Sequence, residues 1–444
     1  ILAANLGKAR VKQADVLIRT DVRNNSQNLL IKGLVQSDLG DAIDVLAQSP
    51  LKSRVQGLDG WALSGSSGIN LDLTIPLGAN KGKANTRSGS YKVDTIIDRG
   101  LMLLPKSQVA FKELKGILKY RDKKGLYAEK LHGRFWGEPV VARLETEKTD
   151  LLINVDGRFS MPALGKFLNL PSDQVLLGKT DVLASVHVPL EDTSIPIRLN
   201  VKSQLNGAEI NLPAPFGKAA NSHRHVEAKV VFSKNMDLQL SLDNKIKSHL
   251  VLKNGSVLRG LLALNSDHKE LPEPGQLLAV GHLKSFSLSQ WQQAYPTIIN
   301  FADTTSSTND NGSHSLNLTP IFDVKIDQLD VAGLEFEDAS VNGGYQNSEW
   351  MIGVESDRAE GHVLISSDES APMMIDLERL FLPTPTEAGG DAEELDPSTL
   401  PHIQLAVRNF GVGDKRFGEA NLLMKPQANG VKISGINANL LGLQ

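Results

Sequence analysis

The residues best suited to chemistry are few, and each lacks the neighbours its chemistry needs. His223-Arg224-His225 puts two imidazoles on one side of an extended segment, the start of a metal site, but no third histidine stands nearby in sequence. The segment reads as a surface loop. Ser49-Pro50-Leu51-Lys52 has the S-x-x-K spacing of a serine nucleophile beside a lysine, but the accompanying K-T-G is absent and Lys179-Thr180-Asp181 fails at its third place. Gly411-Val412-Gly413 opens like a phosphate-cradling loop, yet Phe417 stands before Gly418 and no helical pattern follows. It reads as a turn. Asp72, Asp237 and Asp323 invite pairing as acid and base, but each sits between apolar residues of an alternating stretch, on the side that faces water. No set supplies a nucleophile, a base and an orienting group together. The sequence does not read as an enzyme, and it calls for neither metal nor cofactor.

The elements that carry these residues are strands. Ile69, Leu71, Leu73, Ile75 and Leu77 alternate with Asn70, Asp72, Thr74 and Pro76. Val182, Ala184, Val186 and Val188 repeat the pattern, as do Ile195, Ile197, Leu199 and Val201, and Met236, Leu238, Leu240 and Leu242. Successive side chains on a strand point to opposite faces, so each strand has one apolar and one wet side. Asn206-Gly207, Asn254-Gly255 and Asn429-Gly430 supply hairpin turns. Short helices are expected near 38–48, 162–170 and 289–295, the last capped by Ser289 and ended by Pro296.

The chain also says one thing twice. Sliding Pro320–Ile352 by 81 positions onto Pro401–Ile433 aligns Val331 with Val412, Phe336 with Phe417 and Gln346 with Gln427. Phe322, Val324 and Ile326 fall on Ile403, Leu405 and Val407, with a turn expected at Gly343-Gly344 or Asn429-Gly430. This divides the chain into a section over 1–302, a loop at 303–315, a repeat unit at 316–382, an acidic loop at 383–400 and a second, truncated unit at 401–444. Gly78–Ser90, Asp303–Ser315 and Pro383–Pro397 read as loops, the last with five carboxylates.

Composition narrows the class further. A net charge of −4 gives no basic excess, which leaves nucleic-acid binding unsupported. Cysteine is absent, so disulfides, cysteine-ligated zinc and thiol catalysis are excluded. No apolar run approaches the length of a membrane-spanning helix, and both ends read as cut, as in a piece of a longer protein. Roughly 25 strands at about 4.8 Å spacing make a sheet of the order of 100 Å, whose apolar side needs a cover. A second sheet or a filled core would serve, and so would acyl chains.

Leu212-Pro213-Ala214-Pro215-Phe216-Gly217-Lys218 resembles a characteristic segment of the YhdP family of AsmA-like proteins. Gly133-Arg134-Phe135-Trp136-Gly137-Glu138-Pro139, Gly68–Leu77, Gly281–Trp291, Asp376–Pro383 and Leu400–Gly435 are similar to the same family, in order along the chain. The resemblance implies an all-β, elongated, twisted antiparallel repeating β-groove, taco-shaped, with a few short helices. It further implies a periplasmic protein anchored to the inner membrane, related to TamB and to chorein-type lipid carriers, that passes phospholipid between inner and outer membranes. Its groove lining would be Ile69, Leu71, Leu73, Ile75, Val182, Val186, Val188, Ile195, Ile197, Leu199, Val201, Leu238, Leu240, Leu242, Phe322, Val324, Ile326, Ile403, Leu405 and Val407. The rivals are a ligand-free β-solenoid scaffold, an assembly factor of the outer membrane, and an enzyme acting on polysaccharide, which would need two carboxylates across a cleft.

Overall fold

Residues 4–6, 9–21, 26–41, 61–77, 89–103, 110–167, 172–192, 194–294, 318–368, 370–384, 402–427 and 430–438 are described by the structure, a computed structural model. They form two compact units, between which the chain passes five times, the last time from Met236 to Asp237. The first unit holds residues up to Leu168, Leu176–Glu209 and Ala219–Met236; the second holds Asn169–Val175, Ile210–Lys218 and everything from Asp237.

In the first unit the strands are β1 (Ala4–Leu6), β2 (Ala9–Asp21), β3 (Ser26–Asp38), β4 (Ala62–Leu77), β5 (Ser90–Leu103), β6 (Ala110–Arg121) and β7 (Gly125–Phe135). They continue as β8 (Glu138–Glu147), β9 (Asp150–Ser160), β10 (Leu176–Pro189), β11 (Ile197–Ser203), β12 (Ala208–Ile210), which reaches the second unit at its last residue, and β13 (Val226–Phe232). From β2 to β11 each strand pairs antiparallel with the next, and β13 pairs with β11. Helix α1 (Met161–Phe167) follows β9, its first turn fitted by Pro162 and by the Ala163 N–H donating to Ser160 Oγ at 3.4 Å. The short α2 (Ser172–Val175) belongs to the second unit.

The second unit contains β14 (Met236–Leu242), β15 (Ile246–Lys253), β16 (Ser256–Leu264), β17 (Gln276–Ser287), β18 (Thr319–Val331), β19 (Leu334–Gln346) and β20 (Glu349–Glu355). β21 (Ala359–Ser366), β22 (Met373–Leu382), β23 (Ile403–Val412), β24 (Lys415–Gln427) and β25 (Gly430–Ala438) complete it, with a helix α3 over residues 288–294. Here the sheet is mixed. β16–β17, β17–β18 and β22–β23 run parallel, whereas the other pairings from β15 to β25 are antiparallel. The uniformly antiparallel expectation fails at these three joints for a topological reason: a parallel neighbour cannot be reached by a tight turn and needs a long connection. The joints are crossed by residues 265–275, 288–318 and 383–402, the longest links of the unit.

The start of β19 and the ends of β18 and β19 lie 81 positions before those of β24, β23 and β24 respectively. The strands belong to one sheet, and among the described residues it does not close into a barrel.

Turns and kinks follow local chemistry. Two-residue hairpins at Trp136-Gly137, Asn254-Gly255, Ala332-Gly333 and Asn347-Ser348 have positive φ at both residues, the twist that suits antiparallel strands. The Gly343-Gly344 turn is not observed: both residues lie inside β19, and the reversal falls at Asn347-Ser348. Gly343 is glycine because its φ is 150° and a Cβ there would overlap the Met351 carbonyl oxygen of β20. In several strands the alternation breaks into an apolar residue, two exposed polar ones and another apolar residue. Leu283-Lys284-Ser285-Phe286, Ile326-Asp327-Gln328-Leu329 and Phe336-Glu337-Asp338-Ala339 do so in step on β17, β18 and β19. Val407-Arg408-Asn409-Phe410 repeats it on β23, and Leu377-Glu378-Arg379-Leu380 on β22 does so with Arg379 half-buried. At these steps the change of face is shared in register by neighbouring strands, so the apolar residues on either side of it stay opposed.

Of the expected helices, that at 38–48 is described only as a turn over 39–41, and the rest lies outside the described residues. So do Ser49 to Lys52, Asn429 and almost all of the three expected loops. At α3 the cap is Ser287, whose Oγ accepts from the Gln290 N–H at 3.4 Å, and not Ser289. The tightest packing of the first unit is around Leu151 and Val188, which are 1% and 0% exposed and adjoin Val93, Tyr120, Leu126 and Leu190. Leu151→Ala is therefore expected to cost about 2–5 kcal/mol in chemical denaturation. The equally conservative Leu183→Ala, at 60% exposure, should change little.

Candidate functional site

Residues directly opposed on neighbouring strands share a face, so the register shows what that face is made of. In the second unit one row runs Ile246, Leu264, Gly281, Val324, Val341, Val354, Gly361, Leu377, Val407, Ala420 across ten consecutive strands, β15 to β24. Beside it runs Leu262, Ala279, Phe322, Gly343, Ile352, Val363, Ile375, Leu405, Leu422. No charged or hydrogen-bonding side chain interrupts either. In the first unit, Ile97, Gly116, Leu131, Ala142, Val155, Ala184, Val201, Ala228 form such a row from β5 to β13. A second is Ala128, Leu144, Ile153, Val186, Leu199, Val230. The β4 side carries Gly33, Leu71, Val93, Tyr120, Leu126 and Ile31, Leu73, Tyr91.

The sequence-derived lining residues are placed as follows. Ile69, Leu71, Leu73 and Ile75 are half-buried on β4, and Leu71 and Leu73 enter the rows just given. Ile69, Leu71, Leu73, Val186, Val188 and Ile197 pack in one apolar cluster. Val182 and Val188 are buried, and Val186, Leu199 and Val201 half-buried. Ile195 does not belong: it precedes β11, is 43% exposed and sits in a bend held by its N–H donating to the Asp192 carbonyl. Proline at 196, which ends the apolar alternation's first step, and the Asp192 side chain accepting from Ser194 fix that bend. On β14, Leu242 is buried, Leu238 half-buried and Leu240 42% exposed. Phe322, Ile403 and Leu405 are half-buried, and Val324, Ile326 and Val407 are buried.

Sequence reasoning passed over Ile153, Val155, Leu262, Leu264, Val341, Val354 and Leu377, which sit in the same rows. Their alternation is as regular, but shorter or interrupted by glycine.

The polar candidates assemble nothing catalytic. Asp237 is not simply solvated: its Oδ2 lies 2.7 Å from His249 Nε2 and its Oδ1 accepts from Gln239 Nε2 at 3.3 Å, a cluster that holds no nucleophile. His282 Nε2 and Asp327 Oδ1 form a similar pair at 2.5 Å on the outer side of β17 and β18. His225 Nδ1 contacts Gln204 Nε2 at 3.2 Å, and the His223–His225 segment is a loop without regular structure. Gly413 lies in the β23–β24 turn. Among the described residues no three His, Asp or Glu side chains gather as metal ligands would.

One helix lies over the apolar face. Trp291 of α3 stacks on Phe286 of β17, centroids 6.1 Å apart, and meets Phe216 edge-on at 5.7 Å. Asp330 of β18 clasps the helix start. Ser287 Oγ and Ser289 Oγ donate to its Oδ2 at 2.7 and 3.3 Å, and the Gly333 N–H donates to its Oδ1 at 2.9 Å. The Ser287 bond first, with the others, holds the Asp330 carboxyl below its usual range, against a smaller opposing effect of burial. A depressed carboxylate contributes stability above its unfolded pKa and loses it as pH falls through the folded value. The helix start should therefore loosen in acid, below the ordinary aspartate range. Asp330→Asn should produce that loosening at neutral pH, read as faster amide exchange at residues 288–294 with β18 unchanged.

The fold and this face define a class: an open, all-β protein consistent with a groove, whose most continuous surface feature is apolar. The sequence matches the family model described as YhdP protein over residues 1–440, and the chain belongs to that family. It is a family of the bacterial envelope associated with lipid transport, not one known for enzymatic activity. No curated protein and no solved structure matches the chain. Among the described residues no helix is long and apolar enough to cross a membrane.

Proposed function

We propose that the chain is a section of a lipid conduit in which phospholipid acyl chains lie along the apolar rows while headgroups stay at the wetter margin. The observation that carries the reading is the row from Ile246 to Ala420, ten strands without a polar side chain. Several of its neighbours, Phe322, Ile352 and Leu405 among them, are only half-buried by the protein itself. Apolar surface left partly wet over many strands is costly, and each methylene laid against it gains about 0.8 kcal/mol. No catalytic residue is needed for holding or passing such a ligand. The periplasm, between inner and outer membranes, is the setting this reading assigns, with the anchor outside this sequence.

A photo-crosslinking residue at Leu405 or Phe322 should capture phospholipid, and one at Lys325, on the opposite face of β18, should not. Equal capture at both would remove the proposal. The fully buried Leu151 and Val188 favour a second reading for their part of the first unit, a filled core that bears load without ligand. Crosslinking at the half-buried Leu199 decides there: capture extends the conduit through β11, and none leaves a scaffold.

A further inference from the structure

We infer that the outer face of β6 and β7 docks onto the surface of an anionic phospholipid bilayer. In a chain of net charge −4, residues 112–134 carry eight Lys and Arg against three Asp and Glu. The register opposes basic residues directly: Lys112 faces Arg134, a like-charge pair, and Lys115 faces His132. Like charges across a strand pair destabilise it, and nothing in the fold requires them there, since the inward neighbours Phe111, Leu131 and Phe135 supply the packing. All four opposed residues are exposed, as is Lys130 in the adjoining bulge.

Glu113 engages Arg134 at 3.0 Å, and Glu129 approaches Lys119 at 3.6 Å. Lys112, Lys115 and Lys130 form no ion pair among the described residues. Ile96 and Ile117, opposed on β5 and β6, stand exposed beside them at 46% and 43%. Lysines around exposed isoleucines suit a bilayer better than an acidic protein: the ammonium groups meet phosphates while the apolar side chains enter the headgroup layer. Lysines near such a surface attract it additively, and salt weakens them.

The test is sedimentation of the full chain with vesicles of phosphatidylcholine alone or mixed with phosphatidylglycerol, at low and high salt. Binding is expected only with phosphatidylglycerol, falling with salt, and weakened roughly tenfold or more by the triple variant Lys112→Glu, Lys115→Glu, Lys130→Glu. Because Lys112→Glu replaces the like-charge opposition to Arg134 by an attractive one, and positions 115 and 130 are exposed, the variant should melt no lower than the parent, which separates docking from folding. Equal binding to both vesicle types, or an unaffected triple variant, overturns the inference. Binding to an acidic peptide with none to vesicles would also overturn it, in favour of a protein partner.

Discussion

An aspartate at Leu405 or Ile197 is expected to abolish lipid carriage in a protein that still folds. Leu405 lies between Ile375 and Leu422 in its row, and Ile197 stands at the edge of the cluster around Val188; both are half-buried, so a side chain at either position still meets water. In the empty protein the carboxylate reaches water at little cost. With an acyl chain in place it would be desolvated without a partner, a penalty of at least several kcal/mol that outweighs many methylene contacts. Leu405→Ala, which removes only contact area, should reduce carriage slightly. The measurement is transfer of a labelled phospholipid between vesicles, with circular dichroism confirming the fold. Aspartate variants that fold and transfer lipid like the parent would contradict the proposed lining.

Gly343→Val is expected to destabilise the second unit by about 3 kcal/mol or more, through backbone strain and overlap together. The residue sits mid-row, with φ at 150°, where the carbonyl of Met351 occupies the space a Cβ needs. The control is Gly333→Ala in the β18–β19 turn, where φ is also positive but nothing stands within 4 Å, and where the cost should stay near 1 kcal/mol. Equilibrium denaturation by urea compares them. Similar midpoints for the two variants would mean that β19 and β20 do not approach as closely as described.

Much of this architecture was legible in the sequence because strand faces are written with a period of two. Ile69 to Ile75, Val182 to Val188 and Phe322 to Ile326 carry that period without a break, and each lies on a strand with its apolar side chains on one face. What failed did so where the period is interrupted for a reason outside the strand. Gly343-Gly344 resembles a turn, but its glycines answer to the neighbouring Pro320 and Met351 carbonyls, which no local pattern reveals. The steps at Asp327-Gln328 and Arg408-Asn409 look like lapses in alternation and are matched in register on the adjacent strands. Ile195 matched the apolar spacing but fell in a bend set by Asp192, Ser194 and Pro196. The parallel joints had a signal that was open to reading: the long segments before β18 and β23 are what a crossover between parallel neighbours requires. The like-charge opposition of Lys112 and Arg134 on β6 and β7 could not be seen at all before the register was known.

The central claim is that the apolar rows hold lipid, and native mass spectrometry of the purified chain, with organic extraction of what accompanies it, tests that most directly. One or more equivalents of phospholipid on the parent, lost from the Leu405→Asp variant, is the result this account predicts. A stable, lipid-free protein that gains none from added vesicles would contradict it, and would leave the rows as the inner surface of a filled scaffold.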